Sequence, residues 1–388
     1  MKRIKTGALV LEGHVQGLSN TRALGEAGIP VYVVDTNNCL ARYSRHCKKF
    51  FLCPDFRSPD FIQFLVDLAQ KENLAGWVLI PSNDHIVENL SNNLSIIQTY
   101  YKTVVPAPDQ LTDIIDKGRL IEIARSCKVP VPETIFYSNV DQAGSRLRYP
   151  VLVKGRAGLS FYKNLRAKAI QAESLAELKA ILPDIASRVP PENILIQELI
   201  PSHPAHKVIS FTAFCIGGEI KAHWSGIKIR EHPVKYGTGT FAKSVYNEQC
   251  HRQSIVLLKQ LGYTGVCEVE YLFDERDQQY KLIEINPRTW LWVGLAKACG
   301  VNHTLMVYNY LQGIAMDYPK SYTLNLGWMN YFTDTVFALK ALMKRQLRLK
   351  DYLRSMWMRK KNAVFSWSDP LPGLVFPFMV FYIAHKRG

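Results

Sequence analysis

"GVCEVEYLFDERDQQYKLIEINPR" occupies residues 265–288. Two apolar runs carrying alternate acids flank a charged turn at 275–278, the pattern of an antiparallel hairpin. Alternation places Glu268 and Glu270 on one face of the first strand. It places Glu284, Asn286 and Arg288 on one face of the second. Antiparallel pairing can bring Glu270 and Glu284 side by side. Two neighbouring carboxylates repel, and one rises in pKa unless a cation neutralises them. Mg2+ suits such a face: two carboxylates and an amide oxygen, with phosphates and water completing the shell. Two solvated glutamates with Asn286 in a turn would be the plainer reading, but the apolar neighbours in "VCEVEYLF" and "YKLIEINP" oppose it.

Upstream, "KVISFTAFCIGGEIKAHWSGIKIRE" predicts another hairpin turning at Gly217-Gly218. "NILIQELIPS" predicts an apolar strand. "YPVLVKGRAG" predicts a strand that delivers Lys154 to a glycine-containing loop, and "LRAKAIQAESLAELKAIL" a strand and a helix. Lys117 lies in "PDQLTDIIDKGRLIEIARSCKVPVPET", read as helical up to its prolines. A buried lysine at such a place suits a phosphate, but each alone reads more readily as a solvated surface lysine. The loop has no Walker pattern. "GIKIREHPVKYGTGT" brings Lys228, Arg230 and Lys235 near a Gly-Thr stretch, which suits an anionic ligand or a basic loop.

The N-terminal part alternates strands and helices. "GALVLEG", "IPVYVVD", "AGWVLIPSND" and "TVVPAP" read as strands, which implies a parallel sheet covered on both faces. Gly13 and Gly17 do not make G-x-G-x-x-G, so a dinucleotide site is not indicated. The pattern changes after Pro108. Beyond Gly313 the chain becomes basic: between Lys340 and Lys361 stand nine Lys/Arg and one acid, Asp351, interleaved with Leu, Met and Trp. An apolar, proline-broken run follows.

The 388 residues carry a net charge of +15, which favours anionic partners. Eight cysteines without a C-x-x-C pair predict reduced thiols in a cytoplasmic protein. No apolar run is long enough to span a bilayer, and no nucleic-acid-binding module is recognised.

Taken in order, these pieces resemble the ATP-grasp superfamily, and within it carboxylate–amine ligases of the D-aspartate ligase type. The likeness runs from about residue 105 to 312. It implies an α/β and α+β fold: a Rossmann-like pre-ATP-grasp domain at 1–108, an ATP-grasp domain at 109–313 with a lid at about 125–195, and a basic helical C-terminal extension at 314–388. It implies that Lys117 and Lys154 touch the ATP phosphates and that Lys168, in "RAKA", is a further nucleotide contact. Gln197, Glu198, Leu199 and Ile200 form the adenine hinge. Glu270, Glu284 and Asn286 hold Mg2+, two ions in this family, with Mn2+ as a substitute. Arg288 and Arg230 act on the γ-phosphate or the tetrahedral intermediate. The implied reaction joins a small carboxylate to an amine, an amino acid among them, through an acyl phosphate. The sequence departs from the family where an acid for the ribose is expected; "SHPAHK" offers His203, His206 and Lys207. The competing expectations are a non-amine acceptor, a non-catalytic nucleotide-binding protein, and a basic protein that binds nucleic acid or a membrane surface. Packing of the tail on the body is favoured over peripheral membrane contact, and no nucleic acid is expected.

Overall fold

The computed structural model describes residues 6–201, 208–232 and 237–387. The first sheet comprises β1 (Ala8–Leu11), β2 (Val31–Asp35), β3 (Cys47–Leu52), β4 (Trp77–Pro81) and β5 (Tyr101–Lys102). Their order is β3-β2-β1-β4-β5, and every pairing is parallel. Ala8, Val10, Val31 and Val33 face one apolar layer, while Leu9, Leu11 and Val34 face another with Phe61 and Leu65. Burial on both faces is why these strands read as continuous apolar runs. "TVVPAP" is not a strand; the last strand comes just before it. β3 carries Lys48 and Lys49 on an edge, a common guard against further pairing.

The second sheet is formed by β6 (Thr134–Phe136), β7 (Val151–Gly155), β8 (Ile170–Ala172) and β9 (Ile194–Glu198), in the order β6-β9-β7-β8 and wholly antiparallel. Val151, Val153, Ile194 and Ile196 bury one face against Leu178 and Leu182 of the helix Leu175–Ala186. Alternation turns Lys154 and Gln197 to the opposite face.

The third sheet holds β10 (Ile209–Ile216), β11 (Glu219–His232), β12 (Thr238–Ser244), β13 (Gly265–Asp274), β14 (Gln279–Asn286), β15 (Gly327–Met329) and β16 (Lys360–Asn362). The order is β14-β13-β10-β11-β12-β15-β16. The two expected hairpins are present and join through β10 and β13. Gly217 and Gly218 turn the first with φ of 56° and 83°, a region that suits glycine. One face packs Phe211, Ala213, Val269, Tyr271, Leu282 and Ile285 against Leu257 and Leu258 of the helix Glu248–Gln260. The "GTGT" stretch enters β12.

Residues 108–126 form two helices, Pro108–Ile115 and Lys117–Ser126, rather than one. Asp116 breaks the run by accepting the Gly118 and Arg119 N–H groups at the start of the second. The C-terminal region is no free tail. It supplies β15 and β16 and three helices, Tyr331–Met343, Leu349–Met356 and Leu371–Arg387. Buried Asp369 accepts from Arg22 Nε, Ser44 Oγ and the Arg45 N–H at 2.7–2.8 Å, which straps the chain end to the first sheet domain. All eight cysteines are free thiols. Among the described residues no helix is long and apolar enough to cross a membrane.

Candidate active site

The register of β13 and β14 pairs Glu268 with Asn286 and Glu270 with Glu284, then slips, so that Tyr271 pairs with Leu282. Ile283 is therefore the extra residue of a bulge. Plain alternation would put Leu282 and Glu284 on one face. The bulge sends Leu282 into the apolar core and keeps Glu284 and Asn286 beside the β13 acids.

These acids are crowded. Burial, then the neighbouring Glu270 charge, pushes the Glu268 carboxyl up. Burial likewise raises Glu270, with Lys228 opposing and Glu284 adding to the shift. Lys228 Nζ lies 3.6 Å from Glu270 Oε1 and takes up part of the charge. Asn286 Nδ2 donates to Glu268 Oε2 at 3.1 Å, whereas Glu268 Oε1 is buried with no hydrogen-bond partner among the described residues. A buried oxygen without a partner beside two facing carboxylates fits a divalent cation. Among the described residues no three His, Cys, Asp or Glu side chains form a closed cage. The set at hand is two carboxylates and an amide, the partial shell of an ion that also binds phosphates.

Lys154 approaches from β7, and Lys117 from the start of the helix Lys117–Ser126. Lys154 Nζ donates to Gln197 Oε1 at 2.9 Å, and Gln197 Nε2 donates to Thr134 Oγ1 at 3.0 Å. Burial and the nearby Lys117 charge bring Lys154 down to about 8, against the pull of Glu284. Lys117 opens its helix, and its N–H donates to the Arg156 carbonyl in the loop after β7. Arg156 Nε also binds the Asp116 carboxylate at 3.0 and 3.1 Å. The lysine-bearing helix and loop are thus fixed to each other.

Arg288 comes from the chain just past β14. Its Nε and Nη2 bind the Asp84 carboxylate at 2.6 and 2.9 Å, and Nη2 also donates to Asn286 Oδ1 at 3.2 Å. Burial opposes the Arg288 charge, but Asp84 holds its pKa above the usual value. Nearby, buried Asn20 donates to Ser82 Oγ and Thr289 Oγ1 and accepts from Thr304 Oγ1. These bonds join the first sheet domain to the segment that carries Arg288. A small cavity beside Arg288 is lined by Pro81, Val104, Pro287, Thr289 and Thr304.

Glu270, Glu284, Asn286, Arg288, Lys117, Lys154 and Gln197 therefore gather in one region. Other expected residues lie elsewhere or are already engaged. Arg230 binds Asp334 through Nε and Nη2 and Ser355 Oγ through Nη1, at 2.7–3.2 Å. Its guanidinium anchors the C-terminal helices. The Glu198 side chain accepts the Arg148 N–H at 2.8 Å and pairs with Arg276 at 3.1 Å, and its backbone N–H donates to the Glu133 carbonyl at 2.9 Å. The Leu199 N–H donates to the Pro150 carbonyl. Lys168 is exposed. His203, His206, Lys207 and Lys235 fall outside the described residues.

Lys228, read from the sequence as suited to an anionic ligand, lies instead against Glu270, and Asp84 is not singled out by the sequence pattern. Asp84 follows β4 at the carboxyl end of a parallel strand, where α/β sheets place their ligands, and that rule is the signal that points to it.

A parallel domain, a small antiparallel sheet carrying Lys154 and a large, mainly antiparallel sheet carrying paired acids together define the ATP-grasp architecture. Residues 238–303 match a family profile described as "Carbamoyl-phosphate synthase L chain, ATP binding domain". The chain is 22% identical to a D-aspartate ligase from Enterococcus faecium over 248 residues, 60% of this chain and 58% of that protein. It thus spans little more than half of that relative. A biotin carboxylase–ATP complex from Campylobacter jejuni superposes with TM-score 0.65 at 15% identity, covering 84% of this chain and 75% of that one. An L-amino acid ligase from Bacillus licheniformis gives TM-score 0.58 at 12% identity, covering 80% and 75%. The chain has the ATP-grasp fold.

Proposed function

We propose that this protein is an ATP-dependent ligase that joins a small carboxylic acid to an amine, an amino acid being one of the two substrates. The observation that carries this reading is the pairing of Glu270 with Glu284, with Lys154 within electrostatic reach of both Glu284 and Lys117. The likeness to D-aspartate ligase and L-amino acid ligase supports an amine as acceptor.

In this reading Lys117 and Lys154 hold the ATP phosphates, and the backbone of 197–200 meets the adenine. The groups that would hold magnesium, as two ions with manganese as a substitute, are Glu270, Glu284 and Asn286; the metal would offset phosphate charge. A substrate carboxylate oxygen attacks the γ-phosphorus and ADP departs. The amine nitrogen then attacks the acyl carbon, inorganic phosphate leaves and the nitrogen loses a proton. Arg288 stabilises the oxyanion between these events, with Asp84 orienting its guanidinium. The β6–β9 sheet is the lid that keeps water from the acyl phosphate.

The test is ADP release against a panel of amino acids and small carboxylates. Release that needs both an acid and an amine, with an amide product by mass, is expected. Turnover with an acid plus a thiol, hydroxyl or bicarbonate acceptor instead would replace the amine reading. ATP binding without any turnover would point to a non-catalytic nucleotide-binding protein.

Lys154 gives a second measurable consequence. A lysine at about 8 in the free protein is charged below that pH and neutral above it. Bound phosphates favour the charged form, so binding takes up a proton at higher pH. ATP affinity should weaken as pH rises through 8, approaching about tenfold per pH unit for a single proton. Lys154→Arg, which stays charged, should flatten that slope in calorimetric titrations. The same shift acts on folding with the opposite sign. Between about 8 and the usual lysine range the unfolded chain holds more protons, so this group adds stability as pH rises there.

A further inference from the structure

The three C-terminal helices each bury one side in the body and leave an apolar stripe in solvent. On Tyr331–Met343, Ala338 and Asp334 are buried, while Val336, Leu339 and Met343 are exposed at i, i+3 and i+7. On Leu349–Met356, Ser355 is buried, while Leu349, Leu353 and the following Trp357 are exposed at i, i+4 and i+8. On Leu371–Arg387, Phe376 and Met379 are buried, while Leu371, Leu374 and Phe378 are exposed at i, i+3 and i+7. Each spacing places its three residues on one helical face. The exposure is large: 90% for Trp357, 77% for Met343 and 76% for Phe378. Buried anchors hold these faces outward. Phe332 meets Phe376 at 5.9 Å between ring centres, and Arg230 ties the first helix to the second through Asp334 and Ser355.

The charge around the stripes is one-sided. Lys340, Lys344, Arg345, Arg348, Lys350 and Arg354 lie along the first two helices and their link, with Asp351 the single acid between Lys340 and Lys361. An exposed apolar patch marks an interaction surface. Apolar stripes with Trp, bordered by Lys and Arg, match the interface of a bilayer rich in anionic lipid: side chains enter the acyl boundary and cations meet the headgroups. None of these helices is long and apolar enough to span it, so the contact is peripheral.

We propose that the surface formed by helices 331–343, 349–356 and 371–387 docks the protein on an anionic membrane. The test is co-sedimentation of the full chain with phosphatidylcholine vesicles containing phosphatidylglycerol, alongside pure phosphatidylcholine vesicles. Binding to the anionic vesicles only, reversed by added salt, is expected. Lys344→Glu with Arg345→Glu should lower it by about tenfold or more. Met343→Ser, Leu353→Ser and Trp357→Ser together should lower it comparably. Their thermal melts and ATP binding should stay as in the parent chain. No binding to anionic vesicles at low salt overturns the proposal, as does binding that ignores both sets of substitutions. A dimer that the serine substitutions split, with no vesicle binding, overturns it in favour of a second copy of this chain.

Discussion

Glu284→Ala is expected to lower the rate of ADP release by about 10^3-fold or more, the scale of losing a group that stabilises developing charge. The protein should remain as stable as its parent, or become slightly more stable. The reason is electrostatic. Glu284 adds to the forces that raise Glu270, against Lys228 at 3.6 Å and the Arg288 charge. Removing one of two facing carboxylates relieves repulsion in a partly buried pair, so the folded state loses an unfavourable interaction. A structural glutamate would behave in the reverse way, with a lower melting temperature and a preserved rate. The metal dependence separates the roles further. Lys117 and Lys154 are untouched, so ATP binding without magnesium should persist, while the gain in affinity on adding magnesium should vanish. Retained turnover would remove Glu284 from the proposed cation site.

That a hairpin could bring Glu270 beside Glu284 was legible because a hairpin is local. The register set at the turn, with Asp274 opposite Gln279, would place Glu270 opposite Ile283; the bulge moves it opposite Glu284. The bulge at Ile283 was not legible, yet it decides that Leu282 turns inward. Asp84 stands 204 residues from Arg288 in the chain, and no periodicity carries across that distance. Only the placement of a strand end against another domain brings them together. The C-terminal strands were missed for a related reason. "GWM" and "KKN" are three residues each, too short to show a period, and they exist because β12 offers an edge.

Arg230 illustrates how a bulge defeats alternation. Lys228 and Arg230, two apart on one strand, should share a face. The β11–β12 register shifts on both sides of Arg230. Lys228 therefore turns to Glu270, and Arg230 turns to Asp334. Asp334 is buried, accepts from Arg230 on both oxygens and takes a third bond from Thr240 Oγ1 at 2.8 Å. The Arg230 guanidinium also lies over the Phe241 and Tyr352 rings. Removing the carboxylate leaves a guanidinium among aromatic rings without its counter-charge. Asp334→Ala should therefore cost about 3–5 kcal/mol of folding stability, read from denaturant midpoints, and loosen helices 331–343 and 349–356 first. Arg230→Met with Asp334→Leu exchanges the pair for apolar groups of similar volume and should recover most of that loss. This double variant also decides between anchor and catalyst. If Arg230 only anchors the C-terminal helices, the refolded double variant should release ADP at close to the parent rate. If Arg230 acts on the phosphate or the tetrahedral intermediate, stability should return without activity. The geometry favours the first result: three of its nitrogens are already bound within the C-terminal anchor, whereas Arg288 reaches Asn286 and thus the paired acids.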